Sequence, residues 1–269
     1  MLKRSFTIGA AVLLAGCGVS TQQEVELGQQ EAQQVNAQLP MVQDAVIQNY
    51  VNTLGQRIAR TTSRSDLNWQ FQVVNSNVVN AFALPGGFIY VNRGVLARAS
   101  NSSEVAGVLA HEIEHVVRRH SVKQMEQAQG ANIGLTLACV LTQVCNNQAT
   151  GALINVGGTA LFAKFSRDDE AQADEEGVKN VVRAGIDPRG IPEMFRILIN
   201  ERERSPSTVD AWFATHPLEE SRIQATDAQI AKINPAILNG LTKDSQSFQT
   251  FKQRVRGLPA APPATRASR

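Results

Sequence analysis

The sequence predicts an α+β fold, mostly helical with one small β-sheet, and three observations carry that expectation. Residues 41 to 60 place Val42, Val46, Tyr50, Leu54 and Ile58 at four-residue steps, the spacing of an amphipathic helix. Trp69, Phe71 and Val73 alternate with polar residues, which is the pattern of a half-buried strand. A further helix spans about residues 103 to 120: Asn101, Ser102 or Ser103 can cap it, Glu104 sits in its first turn, and Val105, Leu109, Ile113 and Val116 make it a core element.

Between and around these lie the remaining elements. Residues 19 to 38 are Gln-rich, with Val25, Leu27 and Val35 thinly spaced, and read as a tether or a surface helix. Residues 78 to 92 read as a hairpin, with apolar Val78 to Leu84, a Pro85-Gly86-Gly87 turn, then Phe88 to Val91. From Gly257 the composition shifts to Pro, Ala and Arg, the mark of a disordered tail. The expected organisation is a leader over 1–16, a tether and first helix over 17–40, one domain over 41–250 and a tail over 251–269.

Composition narrows the function classes. With 43% hydrophobic and 19% charged residues, the chain is globular, and a formal charge of +2 excludes nucleic acid as the natural partner. The first residues indicate the compartment. Met1-Leu-Lys-Arg is basic, Phe6 to Ala15 is apolar but too short to span a bilayer, and Leu14-Ala15-Gly16 sets small residues before Cys17. This segment resembles a bacterial lipoprotein signal with its lipobox. That resemblance implies a lipid-anchored Cys17 as the first mature residue, and Gly18, where a retention signal has Asp, implies the periplasmic face of the outer membrane. Loss of Lys3 and Arg4 with the leader leaves basic and acidic side chains equal at 24 each. In such an oxidising compartment Cys139 and Cys145 either pair as a disulfide across a turn or remain two buried thiols.

The chemistry concentrates on the helix near residue 111. His111 and His115 lie four apart, roughly 40° around a helix, so two imidazoles project from neighbouring turns on one side and can share one Zn²⁺. Glu112 flanks the same side, within reach of a proton on a metal-bound water. His120 would lie roughly 180° from His111 on that helix, a poor position for a ligand, and reads as a helix-end cation or a partner for a carbonyl. A catalytic zinc needs a third protein ligand. On the helix after Ser166, Glu170, Asp174, Gly177 and Val181 share a face, so Glu170 can ligate while Asp174 accepts from a ligand histidine. Gly177 would let a second helix backbone come close. Asp168, Asp169, Glu175 and Glu176 point elsewhere and read as solvated charge.

His111-Glu-x-x-His115 with Arg119-His120, Asn80-Ala-Phe-Ala-x-Pro-Gly-Gly87, Ser166-Arg-x-x-Glu170-x-x-Ala-Asp174, and Thr215-His216-Pro217 with Arg222 together resemble the Ste-type (CAAX-prenyl-protease-like) family of gluzincin metallopeptidases, in its soluble periplasmic lipoprotein branch. The matching blocks span about residues 24 to 225. The resemblance implies a zincin-like domain whose edge strand flanks the active-site cleft, one zinc held by His111, His115 and Glu170, and Glu112 as general base. It implies Asp174 behind a ligand histidine and His216 facing the oxyanion. Arg222 would orient His216 or a carboxylate, and Asn80, Ala81, Phe82 and Ala83 would form the strand on which substrate lies. The substrates so implied are unfolded or misassembled envelope proteins. Between Glu126 and Lys164 no residue is charged, and this stretch reads as a pair of small-residue helices that gate the cleft and contact a client. A second class stays open: a non-catalytic or latent zinc-binding lipoprotein that holds clients, with His216 in the fourth metal position.

Overall fold

The computed structural model describes residues 18–131, 164–217 and 220–262. The leader, Cys17, the Cys139–Cys145 pair and most of the uncharged stretch lie outside these residues. Among the described residues no helix is long and apolar enough to cross a membrane.

Helix α1 (Thr21–Gln38) starts at a capping box, in which Ser20 Oγ accepts from Gln23 N–H and the Gln23 side chain accepts from Ser20 N–H. Its Ala32 and Val35 pack with Leu84, Phe88 and Tyr90 of the sheet. Of the tether and the surface helix expected here, the helix forms, and it packs on the sheet ahead of residue 41. One carboxyl on this helix, Glu31, is pushed up to about 7 by burial. An acid raised in the folded state contributes stability at acid pH that is lost as pH climbs from about 4.5 to about 7. Glu31→Gln should abolish that loss, a difference of about 1–2 kcal/mol above neutrality once its partial exposure is allowed for. Denaturant melts of the two proteins across this range check it; parallel profiles would contradict it.

Helix α2 (Ala45–Ala59) is capped by Asp44, which accepts from the N–H groups of Val46 and Ile47. Its buried stripe is Ile47, Val51, Leu54 and Ile58, and Val46 is 38% exposed. Strict four-residue steps drift by roughly 40° each, so a mixture of three and four follows one face better.

Strands β1 (Gln70–Val74), β2 (Ala81–Leu84) and β3 (Phe88–Asn92) form a sheet in the order β1-β3-β2. β1 runs parallel to β3, and β2 is antiparallel to it in a register that sets Leu84 opposite Phe88 and Ala81 opposite Val91. The expected hairpin thus forms, turning at Gly86 and Gly87 with φ of 77° and 104°, values that favour glycine. β3 is central and buried throughout, and β2 is left at an edge.

After the short α3 (Arg93–Arg98), helix α4 (Ser102–Val117) runs through the centre of the molecule, and every residue from Ser102 to Val116 is buried. Asn101 is the cap that forms, accepting from Glu104 N–H. The helix stops at Val117, short of residue 120: Arg119 takes a left-handed conformation (φ 57°), and α5 (His120–Ala131) leaves in a new direction. Helices α6 (Arg167–Arg183) and α7 (Gly190–Arg204) pack along α4, with α2 and β2 on other sides. The tightest approach to α4 is at Gly190, where a Cβ would stand 2.2 Å from the Ser103 backbone. At Gly177, expected to mark such an approach, a Cβ would sit at an ordinary 3.7 Å from Ala110.

Helices α8 (Pro206–Thr215), α9 (Glu220–Ile230), α10 (Pro235–Leu238) and α11 (Gln246–Arg256) complete the described chain. Phe251 stacks on Tyr50 of α2 with ring centroids 4.2 Å apart, and Lys252 Nζ donates to the carbonyls of Leu96, Ala97 and Ala99 at the end of α3. Residues 251–256 therefore belong to the core and not to a tail. The Phe248, Phe251, Val255 spacing that holds them there is short and lies next to the polar tail, which hid it.

Candidate metal centre

Two helices and the cap residue of a third converge on one buried point. His111 and His115 come from α4, Glu170 from the first turn of α6, and His216 from the residue that ends α8. One potential ligand atom from each lies within 4.8 Å of the others, and none of the four is more than 2% exposed. The two imidazole Nε2 atoms of α4 stand 3.1 Å apart, each 3.5 Å from a carboxylate oxygen of Glu170. His216 Nδ1 lies 3.3 Å from His111 Nε2 and 2.9 Å from Glu170 Oε1.

These separations test whether a metal fits. Ligands about 2.0–2.1 Å from a tetrahedral ion are about 3.3 Å apart, and the spacings here cluster around that value. Glu170 Oε2 pairs with Arg222 Nη1 at 2.5 Å, which fixes the carboxylate facing the two histidines. Three nitrogens and a carboxylate turned toward one point, in a dry interior, match the donor set of a zinc-type ion.

The surrounding charges follow from burial. Burial acts against ionised Glu170, yet the neighbouring His216 and His111 hold its carboxyl well below the usual range. Burial pushes Glu112 up, with His216 and His111 opposing, and among the described residues both of its oxygens are without a hydrogen bond; His216 Nε2 is 3.5 Å away. His115 is driven well below its ordinary value by burial. For His216 burial acts downward, but the charges of Glu170 and Glu112 outweigh it and the net shift is upward. Arg222 supplies the fixed positive charge. Its Nε and Nη2 donate to Asp174 at 2.7 Å each, its Nη1 donates to the Pro217 carbonyl, and its guanidinium lies 4.8 Å from the Phe195 ring centroid. Asp174 Oδ1 in turn lies 2.9 Å from His111 Nδ1.

Residues singled out in the sequence thus meet at one point: His111, Glu112, His115, Glu170, Asp174, His216 and Arg222. Of the edge segment, Ala81, Phe82 and Ala83 lie in β2, while Asn80 precedes it and accepts from Asn92 N–H. Ala83, Leu84 and His115 line one small cavity, so the end of β2 abuts His115.

Three neighbours were not expected. His120, read as a helix-end cation or a partner for a carbonyl, is buried, with Nδ1 2.9 Å from His115 Nδ1, and burial lowers its pKa against the pull of Asp169. Asp169, read as solvated, closes the α6 capping box with Ser166 and turns Oδ1 toward His120. Phe165 stacks on the His115 ring at 3.9 Å, and its N–H donates to the Thr215 carbonyl beside His216. The Ser166-x-x-Asp169 spacing announced the cap, but nothing local announced the imidazole in front of it.

Comparison with known proteins agrees with this geometry. The model of peptidase family M48 matches residues 46–230. The chain is 30% identical over 251 residues to the beta-barrel assembly-enhancing protease of Yersinia pestis, an alignment covering 91% of this chain and 50% of that protein. It is 28% identical over 252 residues to the protein of the same name in Escherichia coli K12, with 91% and 50% covered. It is 31% identical over 175 residues to the mitochondrial metalloendopeptidase OMA1 of Schizosaccharomyces pombe, with 65% and 50% covered. The chain spans about half the length of these curated relatives. Since the match takes in more than half of the sequence and the helices that bear His111, His115, Glu170 and His216, the chain belongs to peptidase family M48.

Proposed function

We propose that this chain is a zinc-dependent endopeptidase of the bacterial envelope that cleaves misfolded or unassembled proteins. One observation carries the reading: a buried carboxylate without hydrogen-bond partners among the described residues, Glu112, stands beside a cluster of donors spaced for a tetrahedral ion. A client-holding module with a purely structural metal would need no such group. His111, His115 and Glu170 would hold the ion, which when bound acts as a Lewis acid and brings a coordinated water toward ionisation near neutral pH. Glu112 takes the proton of the attacking water and can pass it to the leaving amine. His216, with Nε2 facing Glu112, is placed to donate toward negative charge developing on the scissile carbonyl. Arg222 and Asp174 keep the His111 ring in register. The edge of β2, unpaired among the described residues, offers main-chain hydrogen bonds to an extended peptide, a recognition mode suited to unfolded clients.

Chelator-treated protein should lose casein cleavage and regain it with one equivalent of zinc. Undiminished cleavage by metal-free protein would refute the reading.

A second reading concerns the resting state. His216 Nδ1 stands within the ligand cluster, and the whole centre is shielded from solvent, so His216 would occupy the fourth position until it moves. For the location, the relatives named for beta-barrel assembly favour the envelope, and the expected lipid on Cys17 favours its outer membrane. Val19 N–H donates to Glu126 at 2.8 Å and its carbonyl accepts from Arg119, so only Gly18 separates the anchor residue from the folded unit. Two residue steps reach roughly 7 Å, which would seat the domain directly on the membrane.

A further inference from the structure

We propose that His120 is a positioning residue for the metal, holding His115 in the tautomer and orientation that ligation needs; the inference rests on the metallopeptidase reading above. His115 turns Nε2 toward His111 and Glu170, and an imidazole that ligates through Nε2 must keep its proton on Nδ1. That Nδ1 lies 2.9 Å from Nδ1 of His120. Two such nitrogens make one hydrogen bond only if one carries a proton and the other does not. With His115 as donor, His120 accepts at Nδ1 and carries its own proton on Nε2. This Nε2 is buried and faces Asp169 Oδ1 at 3.5 Å, with the Gln172 side chain also in hydrogen-bonding contact with the ring. At that separation the carboxylate acts through its charge, favouring a proton on the facing nitrogen.

Asp169 is itself held by the α6 cap, where its Oδ2 accepts from Ser166 N–H and Oγ–H. The same turn that presents Glu170 therefore also biases the tautomer of His120, and through it His115. Phe165 covers the His115 ring from one face, leaving the Nδ1 contact to set its rotation. The two ligand histidines are thus oriented by different chemistry, His111 by a carboxylate and His115 by a second imidazole. The arrangement depends on the left-handed Arg119, which swings His120 from the far side of α4 to a place behind His115.

The test is zinc affinity, measured by competition with a chromophoric chelator for wild type, His120→Leu and His120→Asn, alongside thermal melts of the metal-free proteins. Asn can offer an acceptor oxygen near the position of Nδ1. Leu should weaken zinc binding by about 10–100-fold while Asn restores most of it. Wild-type affinity in His120→Leu would overturn the inference. Equal weakening in both variants would also overturn it, assigning His120 to packing. A wild type that takes up no zinc would overturn the metal reading and this inference with it, whereas the first two results leave that reading standing.

Discussion

Glu112→Gln should lower kcat for casein about 10²–10⁴-fold, the range expected when a general base is removed, with one zinc per chain retained. Glutamine matches glutamate in shape, and Glu112 is fully buried with no hydrogen bond to lose among the described residues, so the surrounding donors should stay where they are. The variant should melt no lower than wild type, because a buried carboxylate without hydrogen bonds is replaced by a neutral amide. Zinc content by elemental analysis, a melt and a digest at full loading together separate loss of the base from loss of the metal. Equal digestion by both proteins would rule out Glu112 as the base and return the chain to the client-holding class. A variant that lost its zinc would instead show that Glu112 helps hold the centre together.

The largest effect on stability should come from a residue far from the reacting atoms. Glu24 on α1 is fully buried; its Oε1 accepts from Arg64 at 2.7 Å and from Gly86 N–H, and its Oε2 accepts from Arg119 at 2.8 Å. Arg64 also donates to the Val116 carbonyl at the end of α4. Removing one partner of a buried ion pair leaves the other charges uncompensated, a loss of about 3–5 kcal/mol. Arg119 is 31% exposed and recovers some hydration, so Glu24→Ala should lose about 3 kcal/mol, or roughly 6–12 °C in Tm. A change within about 0.5 kcal/mol, the range of ordinary surface substitutions, would show that the pairs are ornamental. Because these contacts hold the α4–α5 corner, the same variant should weaken zinc binding even though no ligand is touched.

Much of the centre was legible in the chain itself. A spacing of four residues on a helix is local information, so His111, Glu112 and His115 declare one side of α4 without help from the fold. The same holds for Glu170 and Asp174 on α6, and for the Pro85-Gly86-Gly87 turn, which only a few backbone conformations satisfy. Asn101 announces its helix because a cap is satisfied within four residues. His216 was different: only its place in a family pattern marked it, since no local spacing ties it to α4.

What the chain alone determined, then, is the set of groups that share a helix face and hence the kind of chemistry available. Tertiary structure decided where the helices end and what stands behind the ligands. A continuous helix to residue 120 would point His120 away from the metal, and every local signal permits one. The break at Arg119 is held by Glu24 and the Val19 carbonyl, which lie 95 and 100 residues away in sequence, and a left-handed arginine is stable only where such contacts outweigh its backbone strain. The surface charge expected at Asp169 was misread for the same reason. Whether a polar side chain meets water or a buried partner depends on which elements close over it, and periodicity along one element carries no information about that.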